Sequence, residues 1–142
     1  MQGIVGVTPV VHVHNDPLIL GNNVLFDLFF VDVRQDAESG QPEERAIDLR
    51  DFSIRRLRIW FPDADGQYAD TPDVDGDMTL LDQVAEPGRA TYRLTDGDYT
   101  GMPSGAWDAD TPPHVKVRGY LVDSVGNDFY TDPPEMIPVK KP

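Results

Sequence analysis

Glu43-Glu44-Arg45-Ala46-Ile47-Asp48-Leu49-Arg50-Asp51-Phe52-Ser53-Ile54-Arg55-Arg56-Leu57-Arg58-Ile59-Trp60-Phe61 is a long run that contains neither Pro nor Gly. Its periodicity fits either a helix or a strand, and the two imply different folds. As a helix it lines Ile47, Ile54, Leu57 and Phe61 on one face at i, i+7, i+10 and i+14. As a strand it turns Leu57, Ile59 and Phe61 inward and Arg56, Arg58 and Trp60 outward. The strand reading is favoured, because β-branched and aromatic residues dominate Ile54 to Phe61 and the flanking segments are strand-like. It requires a bulge near Arg55-Arg56, where the inward parity changes between Ile54 and Leu57. A helical turn near Ala46 to Asp51 is compatible with it.

The neighbouring segments point the same way. Val11 and Val13 alternate with His12 and His14 over Pro9 to His14. Val24 to Val33 is apolar on both faces over Leu25 to Val31, which predicts a central strand covered on each side. Met78 to Gln83 and Arg89 to Thr95 read as strands, the second with Ala90, Tyr92 and Leu94 on one face. His114 to Asp123 alternates with Val115, Val117, Gly119 and Leu121 inward. Gly126-Asn127-Asp128 then turns it into Phe129-Tyr130-Thr131. A final edge strand is expected over Met136 to Val139, with Pro138 tolerable only at an edge. Gln35 to Glu44 and the Asp-rich stretch as far as Asp77 read as exposed loops, and Thr100 to Pro113 as an irregular connection. The fold class expected is all-β, a sandwich of seven to eight short antiparallel strands with long loops.

Composition agrees. The chain has 142 residues, the size of one domain, with 13 Pro and 12 Gly punctuating many short elements. Residues 1–142 are read as one domain, with 1–8 and 132–142 as extended terminal arms. The 12 Lys+Arg against 25 Asp+Glu leave a net charge of −13, which argues against a nucleic-acid or anionic-membrane surface. Cys is absent, so disulfides, thiolate metal sites and cysteine nucleophiles are excluded. The N-terminus does not read as a signal peptide, and the apolar Val24–Val33 run is too short for a membrane helix, so folding in a cytoplasm is expected.

Chemistry-bearing motifs are sparse. Asp73, Asp75 and Asp77, with the nearby Asp63-Ala64-Asp65-Gly66, invite calcium, since hard cations need several oxygens on a turning loop. An EF-hand starting at Asp73 would place Met78 at its glycine position and Val84 at its glutamate position, so that pattern fails, and solvated Asp-Gly turns are the plainer reading. His12 and His14 share one strand face, but His114 is the only other histidine and zinc is not expected. No GxSxG, P-loop or dinucleotide fingerprint occurs, and no carboxylate pair is singled out by spacing. Neither catalysis nor a cofactor is expected. Trp60, Trp107, Tyr68 and Tyr99 suit an aromatic sugar platform, or else packing and subunit contacts. Arg50, Arg55, Arg56 and Arg58 form the only basic cluster, suited to the domain's own carboxylates or to those of a neighbouring subunit.

Several motifs also occur in a characteristic order. Phe26-Asp27-Leu28-Phe29-Phe30 is followed by Ile47-Asp48-Leu49 and by a strand ending in Phe61-Pro62-Asp63-Ala64-Asp65-Gly66. Pro87-Gly88-Arg89-Ala90-Thr91-Tyr92-Arg93-Leu94-Thr95 and a Gly101 turn come next. Val115 to Thr131 closes the series around Asp123-Ser124-Val125-Gly126-Asn127-Asp128-Phe129-Tyr130. Over roughly Val24 to Val139 this resembles the immunoglobulin-like domain at the N-terminus of phage baseplate upper proteins and of related phage tail and neck structural proteins. The resemblance implies no catalytic residues. It implies a virion component, made in the host cytoplasm, that contacts other virion proteins and copies of itself in a symmetric assembly. Arg55, Arg56, Arg58, Trp60, Trp107, Lys140 and Lys141 are the interface candidates. The alternative is a carbohydrate- or receptor-binding sandwich, with calcium as a helper.

Overall fold

The computed structural model describes residues 9–15, 18–19, 22–35, 38–63, 65–95, 97–98 and 113–140. Strands are the dominant element of the described residues. In order these are β1 (Pro9–Asn15), β2 (Leu18–Ile19), β3 (Val24–Gln35), β4 (Pro42–Ala46), β5 (Phe52–Trp60), β6 (Val74–Asp77), β7 (Thr79–Leu80), β8 (Arg89–Leu94), β9 (His114–Asp123), β10 (Asp128–Tyr130) and β11 (Glu135–Lys140). One 3-10 turn, Leu49–Asp51, precedes β5. No helix among the described residues is long and apolar enough to cross a membrane.

Two sheets result, as expected for a sandwich. The first has the order β1-β3-β8-β7, with β4 pairing the far end of β3, and the second has the order β2-β11-β9-β5-β6, with β10 also pairing β9. Their inner faces meet in one core. Phe26, Leu28 and Phe30 of β3, with Ala90 and Leu94 of β8, face Leu57 and Ile59 of β5 and Val115, Val117 and Leu121 of β9. Each fully buried side chain of this kind contributes roughly 1.5–3 kcal/mol of transfer free energy. Every second residue of β9 is buried, the period of a strand with one face on a core.

The ambiguous segment is strand from Phe52 onward, and the turn at Leu49–Asp51 falls inside the window expected for one. The bulge lies earlier than expected. The β5–β9 register shifts between Phe52 and Ile54, which makes Ser53 the extra residue. Ile54, expected inward, therefore points outward at 41% exposure, and Phe52 is buried in the core instead.

Other expectations need correction. Leu25 and Asp27 are exposed, so β3 is covered on both faces only from Phe30 to Asp32. Two expected loops contain strands. Pro42–Ala46 pairs with β3, and Val74–Asp77 pairs with β5. The number of strands exceeds seven or eight because several are two to five residues long, and β2 joins β11 in parallel rather than antiparallel. The segment 132–142 is not an arm over Glu135–Lys140, because Glu135–Pro138 pair with β9, Val139 and Lys140 pair with β2, and Ile137 and Val139 are buried. Pro138 is tolerated there because β2 pairs only Val139 and Lys140, which leaves Pro138 open on that side. The expected arm at 1–8 and the connection Thr100 to Pro112 lie outside the described residues.

Candidate functional site on the outer face of the second sheet

The alternation that sends Leu57 and Ile59 into the core sends Arg56, Arg58 and Trp60 outward. The same alternation in β9 turns out Lys116, Arg118 and Tyr120. Antiparallel pairing then sets these side chains in rungs, with Arg56 opposite Tyr120, Arg58 opposite Arg118 and Trp60 opposite Lys116. On the flanks, Tyr130 lies opposite Tyr120 and Met136 opposite Lys116, while Asp75 and Asp77 lie opposite Arg58 and Arg56.

Arg56 is neutralised within the sheet. Its Nε donates to Asp75 Oδ1 at 2.7 Å and its Nη2 donates to the Asp75 carbonyl at 3.2 Å. That hydrogen bond is the main reason its guanidinium holds its proton more tightly than usual. Arg58 sits differently. Its guanidinium carbon lies 4.0 Å from the Tyr120 ring centroid and 5.4 Å from that of Tyr130, and its Nη1 donates to the Tyr130 hydroxyl. Its nearest carboxylate oxygen, on Asp75, is 3.4 Å from Nε. Arg118 reaches Asp132 at 3.7 Å. The Nε atoms of Arg58 and Arg118 are both buried without a hydrogen-bond acceptor among the described residues. Two like charges directly opposite each other on neighbouring strands are unfavourable, and so is a buried donor without an acceptor.

At the other end of the face Lys116 Nζ lies 4.7 Å from the Trp60 ring centroid and 5.3 Å from that of Tyr68. Trp60 is only 6% exposed, its Nε1 donating to the Asp70 carbonyl at 3.4 Å. Tyr68 donates to the His114 carbonyl at 2.7 Å, and burial raises its hydroxyl above the ordinary tyrosine value. Trp60 therefore presents no open face of the kind a sugar stacks on, and Tyr68 is half-buried. Tyr120 also holds its proton more tightly, through desolvation and the nearby Asp128 carboxylate.

No protein-family model matches the chain, and no curated protein matches it.

The expected site residues are thus divided. Arg56, Arg58 and Trp60 come together on one face. Arg55 does not join them, because it pairs with buried Leu121 and donates to the carbonyls of Leu49 and Phe52, closing the turn before β5. Arg50 is held by Asp48. Lys140 stands at the end of β11 opposite Ile19, and Trp107, Tyr99 and Lys141 lie outside the described residues. Asp73, Asp75 and Asp77 do not converge on a shared point. Asp73 accepts from the Phe61 backbone N–H at 2.7 Å, while Asp75 and Asp77 face Arg56. Among the described residues no group of three His, Asp or Glu side chains is placed to hold a metal ion. His12 meets Glu44 at 2.7 Å.

Sequence reasoning missed Lys116, Arg118, Tyr120 and Tyr130 as members of the site. The signal lay in β9 itself. Once Val115, Val117, Gly119 and Leu121 are assigned inward, the residues between them must share the outer face with Arg56 and Arg58.

Proposed function

We propose that this chain is a structural protein of a bacteriophage virion, a tail, baseplate or neck component that works by attaching to other virion proteins and to copies of itself. The observation that carries the reading is the outer face of the second sheet. Arginine, tyrosine and tryptophan are the residue types that dominate binding energy at protein interfaces, and here Arg58, Arg118, Tyr120 and Tyr130 form one contiguous group. The order of turn and strand motifs from Val24 to Val139, which resembles the immunoglobulin-like domain of phage tail and neck proteins, supports the virion setting. A two-sheet sandwich suits this work, because it holds a flat side-chain array rigidly on paired strands.

A sugar-binding role is less well supported. It rests on open aromatic rings, and Trp60 is covered while Arg58 stacks on Tyr120.

The test is particle association. Phage particles purified from a lysate in which the chain is made are digested, and its peptides are quantified against those of the other particle proteins. A fixed copy number per particle is expected. Recovery of the chain only in the particle-free supernatant would overturn the reading.

A further inference from the structure

We propose that the outer face of the second sheet is where a second copy of this chain docks, face to face about a two-fold axis. This rests on the assembly role proposed above and names the partner for that site.

Charge is the first argument. The outward side chains of this sheet and its rim include the cations Arg56, Arg58, Lys116, Arg118 and Lys140 and the carboxylates Asp75, Asp77, Asp128 and Asp132. These charges nearly cancel, on a chain of net charge −13. Two such chains repel through most of their surfaces, and this nearly neutral face is where they approach without that cost. Both signs are present and spatially separated. Four of the five cations occupy the middle strands β5 and β9, Lys140 stands at the end of β11, and the carboxylates occupy β6, β10 and the rim. A two-fold contact needs this kind of self-complementary patch, in which residue i meets residue j and j meets i.

Apolar exposure is the second argument. Ile54, Tyr130 and Met136 are 41%, 38% and 43% exposed, and all three point outward from this one sheet. Ile54 and Met136 flank the Arg58–Tyr120–Tyr130 stack, so apolar surface adjoins the aromatic-cationic centre.

The opposed guanidiniums are the third. Arg58 and Arg118 face each other across the β5–β9 pair, and the carboxylates nearest to them, on Asp75 and Asp132, stand 3.4 and 3.7 Å away. Carboxylates brought against their outer nitrogens would relieve the like-charge opposition within each copy. Size is of the right order as well. The 32 residues of β5, β6, β9, β10 and β11, at about 3.3 Å each along strands spaced about 4.8 Å apart, give roughly 500 Å² of flat area before side-chain relief. A stable interface uses about 800 Å² of accessible surface a side.

The test is sedimentation equilibrium of the full chain over a concentration series, wild type against the Arg58→Glu/Arg118→Glu double variant, with circular dichroism as the check on folding. A reversible dimer is expected, weakened roughly thirtyfold in the folded double variant. A wild type that stays monomeric to its solubility limit overturns the proposal, as does an unchanged dimer affinity in the folded variant. Should the variant not fold, a spin label at Met136→Cys decides, since the chain has no other cysteine. Strong coupling between the Met136→Cys labels of two copies, with much weaker coupling for a label at Val84→Cys in the turn between β7 and β8, supports the proposal. Equal coupling at both positions, or none at either, overturns it. Particle association is read separately, so a monomeric chain that still enters particles would defeat this inference and leave the virion reading standing.

Discussion

Gly119 of β9 sits directly beneath the ring of Phe30 from the opposite sheet, so close that a Cβ at position 119 would lie 2.3 Å from Phe30 Cε1. Phe30 is fully buried, and its own backbone N–H donates to the Gly88 carbonyl at 2.8 Å, so the ring has little freedom to withdraw. On the other side, Thr131 locks Gly119 in place. Its hydroxyl oxygen accepts from the Gly119 N–H at 2.9 Å, and its N–H donates to the Gly119 carbonyl at 3.0 Å.

Gly119→Ala is accordingly expected to destabilise the fold by about 2 kcal/mol through overpacking, a melting shift of roughly 7 °C for a chain of this length. Gly76→Ala supplies the comparison. Its Cβ would meet the Tyr92 hydroxyl at 2.7 Å, but Tyr92 is only half-buried and its ring end can swing away. Thermal melts should therefore rank Gly119→Ala as clearly the more damaging of the two. The opposite order would contradict the inter-sheet packing described here.

Gln83 is a buried polar staple. Its Oε1 accepts from the N–H groups of Leu49 and Gly88, both at 3.0 Å, and its Nε2 donates to the carbonyls of Leu81 and Arg89, both at 2.9 Å. It thereby ties the turn before β5 to the turn before β8. Gln83→Leu keeps the volume but strands two backbone donors away from water, so a loss of about 3 kcal/mol is expected in urea unfolding. A loss below about 1 kcal/mol would mean that those groups find other partners.

Stability should fall on the alkaline side. Burial is the largest cause raising the hydroxyl of Tyr92 above 10.0, with the charges of Asp98 and Asp75 adding to it, and burial raises Tyr68 as well. A group whose folded value is raised lends stability that is complete below its unfolded value and is lost as pH climbs through the folded one. Unfolding free energy should therefore drop above about pH 10, and Tyr92→Phe should flatten that limb. Tyrosinate absorbance checks it directly. Titration of every tyrosine at the free value would contradict the burial of these rings.

Asp48 governs part of the acid side. Its Oδ1 accepts from both the backbone N–H and the Nε of Arg50 at 3.0 Å, and Oδ2 takes Nη2 at 2.6 Å. The Arg50 hydrogen bond is the main cause lowering its carboxyl below 3.8. Stability from this group is present above the unfolded value and is lost as pH falls through the lowered folded value. Solvent screening keeps it small, so Asp48→Asn should lose about 0.5–1 kcal/mol at neutral pH and less in acid. Chemical denaturation at several pH values reads the difference, and a constant deficit at all pH values would argue against the pairing.

What was legible in the sequence, and what was not, follows from where each strand gets its stability. β9 and the second half of β5 are read correctly because their alternation reports their own burial. β6 was missed because Val74-Asp75-Gly76-Asp77 carries turn residues. Its strand character comes from Asp75 and Asp77 meeting Arg56, and from Gly76 making room for Tyr92. β4 has no apolar signal at all, since Pro42-Glu43-Glu44-Arg45 sits at an edge against the far end of β3. Ile54 misplaced the bulge because its apolar character suggested a core position, whereas it stands outward beside the arginine face. Half of that face was visible in Arg56, Arg58 and Trp60. The stack of Arg58 on Tyr120 and Tyr130 was not, because it joins residues more than sixty positions apart.

The most direct test of the whole account is a cryo-electron microscopy map of phage particles containing the chain. Density for the sandwich is expected at symmetric positions, with Arg58, Arg118, Tyr120 and Tyr130 buried against the same face of another copy. A sandwich whose Arg58–Tyr120 face points into solvent, or particles with no density for it, would contradict the account.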